Sequence, residues 1–121
     1  MAMNNKPGLH PMITPPDLHY FNPAPHFPEE ISTDVCVYGG VSGGVIAAIE
    51  ASRRGLNVIL LEQSAHLGGM TAGGLGMTDI GNKGAIGGMA REFYQRVGAK
   101  YGREIEWCFE PHVAEAVFEE W

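Results

Sequence analysis

Positive charge is scarce in this sequence: eight Lys and Arg stand against 14 Asp and Glu, giving a net charge of −6 with histidine neutral. No basic cluster is longer than Arg53-Arg54. The patch that neutralises phosphates in a nucleic-acid binder is missing, so nucleic acid is not an expected partner. Long apolar runs are missing too. No stretch approaches the roughly 18 to 20 residues of a membrane span, and no apolar run with a small-residue cleavage site follows Lys6. A cytoplasmic chain without a membrane partner is expected. The two cysteines, Cys36 and Cys108, show neither CxxC nor metal-ligand spacing and are expected as reduced thiols.

What the sequence has in excess is glycine, 17 of 121 residues, about twice the ordinary ~7%. Fourteen of the 17 lie between Gly39 and Gly88, while seven of the eight prolines lie between Pro7 and Pro28. Proline fixes φ and removes a backbone donor, so residues 1–31 can form neither a helix nor a central strand. They are expected to be an extended leader touching the body through Tyr20, Phe21 and Phe27, with the first dozen residues disordered. Nothing in a Pro-rich coil fixes the mutual geometry of His10, His19 and His26, so no metal site is expected there. The body is residues 32–121.

Asp34 to Tyr38 is a short apolar run ending in Gly39-Gly40, the pattern of a strand buried on both faces. Val45, Ala48, Ile49 and Ser52 then recur at helical spacing, predicting a helix from about Ser42 to Arg54. Arg53 and Arg54 suit its C-terminal dipole, and Gly55 its termination. Asn57 to Glu62 reads as a second buried strand. Strand, helix and strand make a βαβ unit with parallel strands, so the fold class is α/β, a partial Rossmann-like domain. Gln63 to Gly88 is Gly-rich but keeps Leu67, Met70, Leu75, Met77, Ile80 and Ile86, which a solvated linker has little use for. It is expected to be a backbone surface that approaches a ligand closely. Two further helices are predicted, from about Ala85 to Tyr101, its first turn weakened by Gly87 and Gly88, and from Pro111 to Trp121. Their apolar stripes have little to pack on in so short a chain.

The turn after the first strand, VYGGVSGGV, carries the chemistry. A strand feeding a helix through glycines aims free backbone N–H groups and the helix dipole at one spot, which suits a pyrophosphate. Against G-x-G-x-x-G, Gly39 fills the first place and Gly44 the third, but Val41 occupies the middle one. The context is right: a strand before, a helix after, and the acidic Glu62 18 residues past Gly44, placed to accept ribose hydroxyls.

These residues, DVCVYGGVSGGVIAAIEASRRGLNVILLEQSAHLGGMTAGGLG, resemble the amino-terminal part of FAD-dependent oxidoreductases of the glutathione-reductase-like, two-dinucleotide-fold superfamily. More narrowly, YGGxSxGV followed by LGGMTxGGLGxTD resembles a bacterial family called simply FAD-dependent oxidoreductases, over about Asp34 to Gly98. The resemblance implies FAD as cofactor and partner, with a small-molecule substrate. It places Gly39, Gly40, Val41, Ser42, Gly43 and Gly44 on the diphosphate, and Glu62, with Gln63 beside it, on the adenosine ribose. Gly68, Gly69, Met70 and Thr71 would line the ribityl and diphosphate region. Where many relatives carry Arg around the Gly-Gly doublet, this chain has His66 and Met70. The superfamily's substrate domain and returning FAD-fold strand lie beyond the first 120 or so residues, so the chain is expected to be a fragment of a longer enzyme, lacking its C-terminal part. No catalytic residue is assigned.

Two alternatives stay open: an NAD-dependent dehydrogenase using the same turn, and a non-enzymatic, truncated nucleotide-binding module. The long passage from Glu62 to the next predicted helix favours FAD over NAD. His66, weighed against a covalent flavin attachment point or an acid/base, is expected to be a plain polar residue near a nucleotide, because nothing supplies an orienting partner for its ring. Thr78-Asp79 lie near the flavin by resemblance, or form an ordinary turn with Gly81-Asn82. His112 and Trp107 are expected to serve helix start and packing.

Overall fold

The computed structural model describes residues 30–121. The expected leader, including His10, His19 and His26, lies outside those residues except for its last two positions. Strand β1 (Val35–Tyr38), helix α1 (Ser42–Arg53) and strand β2 (Val58–Leu61) follow in order. The strands pair in parallel, Val35 opposite Val58 through Tyr38 opposite Leu61. Parallel neighbours need a crossover connection, and α1 supplies it, so the βαβ unit is present as read from the apolar runs. Along β1, half-buried and exposed side chains alternate, leaving Tyr38 76% exposed beside Leu61 at 46%.

Helix α2 (Gly88–Lys100) starts three residues later than its apolar pattern suggested. The cause is Asn82, whose Oδ1 accepts the Gly84 N–H at 3.1 Å and caps a separate 3-10 turn, Lys83–Ala85. Gly87, in extended conformation, and Gly88, at φ +54°, therefore separate two elements rather than weaken one helix from within.

Helix α3 (Pro111–Glu120) begins with proline in its first turn, where a missing N–H costs nothing. The expectation that the stripes of α2 and α3 lack partners is corrected: they pack on each other. Phe93 and Val97 of α2 meet Ala114, Val117 and Phe118 of α3, with Val45 of α1 and Phe109 completing a buried cluster. Phe93 stacks on Phe118 at 4.7 Å and meets Phe109 edge-on at 5.8 Å. The Gly-rich segment is pinned to this core through Phe109 N–H to Gly76 O at 2.7 Å and Thr78 N–H to Trp107 O at 3.1 Å. The Thr78 hydroxyl also bonds the Tyr94 hydroxyl at 3.2 Å.

A charged tie joins α1 to α2. Arg53 grips Glu92 through both terminal nitrogens, at 2.9 and 2.6 Å, and Arg96 bonds the same carboxylate. Both guanidinium groups lie over the Trp121 ring, at 5.4 and 4.6 Å. The hydrogen bond from Arg53, seconded by Arg96, holds the Glu92 carboxyl down to about 2. No helix among the described residues is long and apolar enough to cross a membrane.

Candidate functional site

The site grows from the turn between β1 and α1. The Gly39 N–H continues the sheet ladder to Leu61 O at 2.7 Å, and Gly39 then turns at φ +106°. A Cβ on Gly44 would fall onto the Gly39 carbonyl, so the helix starts as close to the strand end as backbone permits. Val41 is the helix N-cap, extended at φ −67° and ψ 166°, and offers no side-chain acceptor; the first turn holds no acidic residue. Among the described residues, no side chain caps the first-turn amides of α1.

Glu62, just past β2, fastens this turn from beside it. Its carboxylate accepts the Gly40 N–H at 2.5 Å and the Ser64 N–H at 2.8 Å. These bonds, Ser64's the strongest, hold its pKa below the usual carboxylate range.

The Gly68–Thr71 stretch closes the third side. The Gly68 N–H donates to Gly40 O at 2.7 Å, and Ser42 Oγ donates to Gly68 O at 2.7 Å while lying 2.6 Å from Thr71 Oγ1. Gly69–Thr71 forms one 3-10 turn. A Cβ on Gly68 would meet the Phe118 ring at 2.6 Å, so this doublet is wedged between the turn and α3. Val41, standing where the fingerprint has its middle glycine, lies against Gly69: a Cβ there would come within 3.0 Å of Val41 Cγ1. The side chain gained at one position faces a side chain absent at the other.

Of the residues singled out from sequence, Gly39, Gly40, Val41, Ser42, Gly44, Glu62, Gly68, Gly69 and Thr71 converge on one wall. Gly43 sits in the first turn of α1 beside a smaller pocket of about 240 Å³ that also touches Ser42, Thr71 and Phe93. Gln63 is exposed, and Met70 is 76% exposed.

The wall opens onto a cleft of about 590 Å³, within the size range of small-molecule sites. Its far side is α3, through Pro111, His112 and Glu115. Here the expectation for His66 changes. Its Nδ1 lies 2.9 Å from Glu115 Oε1, which also accepts the Leu67 N–H at 3.1 Å. The ring thus has an orienting partner 49 residues away in sequence.

A family model described as FAD dependent oxidoreductase matches residues 34–121. No curated protein and no solved structure matches the chain.

Proposed function

Since the chain belongs to the FAD dependent oxidoreductases, with FAD as cofactor, we propose that residues 32–121 form the amino-terminal FAD-binding portion of a longer enzyme. That enzyme would be of the glutathione-reductase-like, two-dinucleotide-fold kind in its bacterial family, and would act on a small molecule. The observation that carries this is the convergence on Gly40. Its N–H is held by the acidic residue closing β2 and its carbonyl by the Gly68 doublet, which joins the three motif pieces into one wall.

The residues fit the cofactor. A helix start without a side-chain cap, where the Cβ position of Gly44 is filled by backbone and that of Gly68 by Phe118, presents amides to an anion. Gly39, Gly40, Val41, Ser42, Gly43 and Gly44 would hold the diphosphate, and Gly68, Gly69, Met70 and Thr71 the ribityl side. Glu62 is ionised and spends part of its acceptor capacity on Gly40 and Ser64. With about four lone-pair sites on a carboxylate, the remainder accept ribose hydroxyls, with Gln63 adjacent. Bound FAD supplies the redox chemistry by accepting and returning electrons, while this chain binds and orients it.

Tyr38, Leu61, Leu75 and Met77 are apolar side chains at least 46% exposed. Further strands and helices of the same enzyme would cover them, since a two-stranded parallel sheet has little stability of its own. The test is titration of the apo gene product with FAD and with NAD, followed by flavin fluorescence quenching and by competition. Saturable FAD binding that NAD does not displace supports the proposal. NAD binding without FAD binding would favour a nicotinamide dehydrogenase instead.

A further inference from the structure

Two hydroxyl hydrogens decide what the wall can bind beside Gly68. Ser42 Oγ lies 2.7 Å from Gly68 O, and a carbonyl only accepts, so the one hydroxyl hydrogen of Ser42 is committed there. Thr71 Oγ1 lies 2.6 Å from the same Ser42 Oγ. With the Ser42 hydrogen on the carbonyl, Thr71 must be the donor in that contact. Both hydroxyl hydrogens are thereby spent inside the protein, and Thr71 Oγ1 is left with lone pairs only. Gly68 is fixed through its amide as well, the N–H donating to Gly40 O at 2.7 Å.

We infer that Ser42 is a positioning residue and not a phosphate donor: its hydroxyl latches the Gly68–Thr71 stretch to the start of α1 and makes Thr71 Oγ1 a pure acceptor, which takes a ribityl hydroxyl and not a phosphate oxygen. The inference rests on the FAD reading and gives that wall a polarity. An ionised diphosphate oxygen has no hydrogen and would meet lone pairs, whereas a ribityl hydroxyl carries the hydrogen that Thr71 no longer offers. The surroundings agree. Ser42 and Thr71 are half-buried and line the 240 Å³ pocket, whose lining is otherwise largely apolar, through Ile46, Phe93 and Phe118. No Lys, Arg or His lines that pocket, so it holds no cation to bind a phosphate against two acceptor oxygens. The diphosphate then depends on the backbone of the turn, and the Ser42 side chain acts on the flavin half of the cofactor through Gly68 and Thr71.

Titration of the apo gene product with three ligands separates the two roles: FAD itself, riboflavin, which has the ribityl chain but no phosphate, and ADP, which has the diphosphate but no ribityl chain. In Ser42→Ala, affinity for FAD and for riboflavin should each fall roughly three- to tenfold, while affinity for ADP stays within about twofold of native. Thr71→Val should show the same pattern, and Thr71→Ser, which keeps the hydroxyl, should restore native binding. The double variant Ser42→Ala, Thr71→Val should lose less FAD affinity than the product of the two single losses, because the hydroxyls act in one chain. Should Ser42→Ala fail to fold, Thr71→Val against Thr71→Ser makes the same comparison. A phosphate donor would lower FAD and ADP binding and spare riboflavin, and a purely structural Ser42 would lower all three alike. Either pattern, native FAD affinity in Ser42→Ala, or riboflavin failing to bind the native chain would overturn the inference and leave the FAD reading standing. Absence of FAD binding to the native chain would overturn both.

Discussion

Glu62 Oε2 accepts the Gly40 N–H at 2.5 Å across 22 residues of sequence, fastening the acidic end of β2 to the glycine turn that leaves β1. One carboxylate therefore shapes the turn and faces the cleft. Replacing Glu62 by Ala removes the acceptor of the Gly40 and Ser64 N–H groups, so FAD affinity should fall by roughly tenfold. Glu62→Gln, which keeps one acceptor oxygen, should fall between. Flavin fluorescence titration checks the order.

At Gly44 the constraint is space. Because a Cβ would fall onto the Gly39 carbonyl, Gly44→Ala must push the helix start away from the strand end. A loss of about 1 to 3 kcal/mol in stability, the usual cost of overpacking, is expected in urea unfolding. FAD affinity should drop with it. Gly43→Ala, where nothing lies within 4 Å of the added carbon, should be close to neutral in stability and serves as the control.

Phe118 links the core to the site. It is 4% exposed, stacks on Phe93, and its ring occupies the space beside Gly68. Phe118→Ala should cost about 3 to 5 kcal/mol. Under conditions where the variant stays folded, FAD should bind more weakly although residue 118 touches none of the motif's polar groups. Thermal unfolding and FAD titration on one sample separate the two effects.

These residues mark what was legible in the sequence. β1, α1 and β2 were, because each is an apolar run or a 3.6-residue stripe bounded by glycine, and local pattern is enough for both. The spacing of the motif pointed to the Gly39–Gly44 turn and Glu62 together, whereas the Gly68 doublet that meets them was implied only by the family resemblance. The start of α2 was not legible, since the Asn82 cap competes with an apolar pattern that continues through it. Nor was the seating of α2 on α3, or the Glu115 partner of His66. Those depend on side chains dozens of residues apart meeting across a core that periodicity does not orient.

The Arg53–Glu92–Arg96 tie predicts a pH dependence. Glu92's carboxyl, held down to about 2 in the fold from an ordinary 4.5, contributes stability that is fully present above pH 4.5 and is lost as pH falls toward about 2. The group is partly open to solvent, so the contribution should be about 1 kcal/mol or less and weaker in high salt. Urea midpoints of the native chain and Glu92→Gln should differ at neutral pH and converge in acid.

The most direct test of the central claim is the absorption spectrum of the full gene product as purified, followed by heat release and identification of the bound nucleotide. Flavin bands in the visible, with FAD as the released species in a ratio approaching one per chain, are the expected result. A colourless protein that takes up no FAD on reconstitution and binds NAD instead would contradict it.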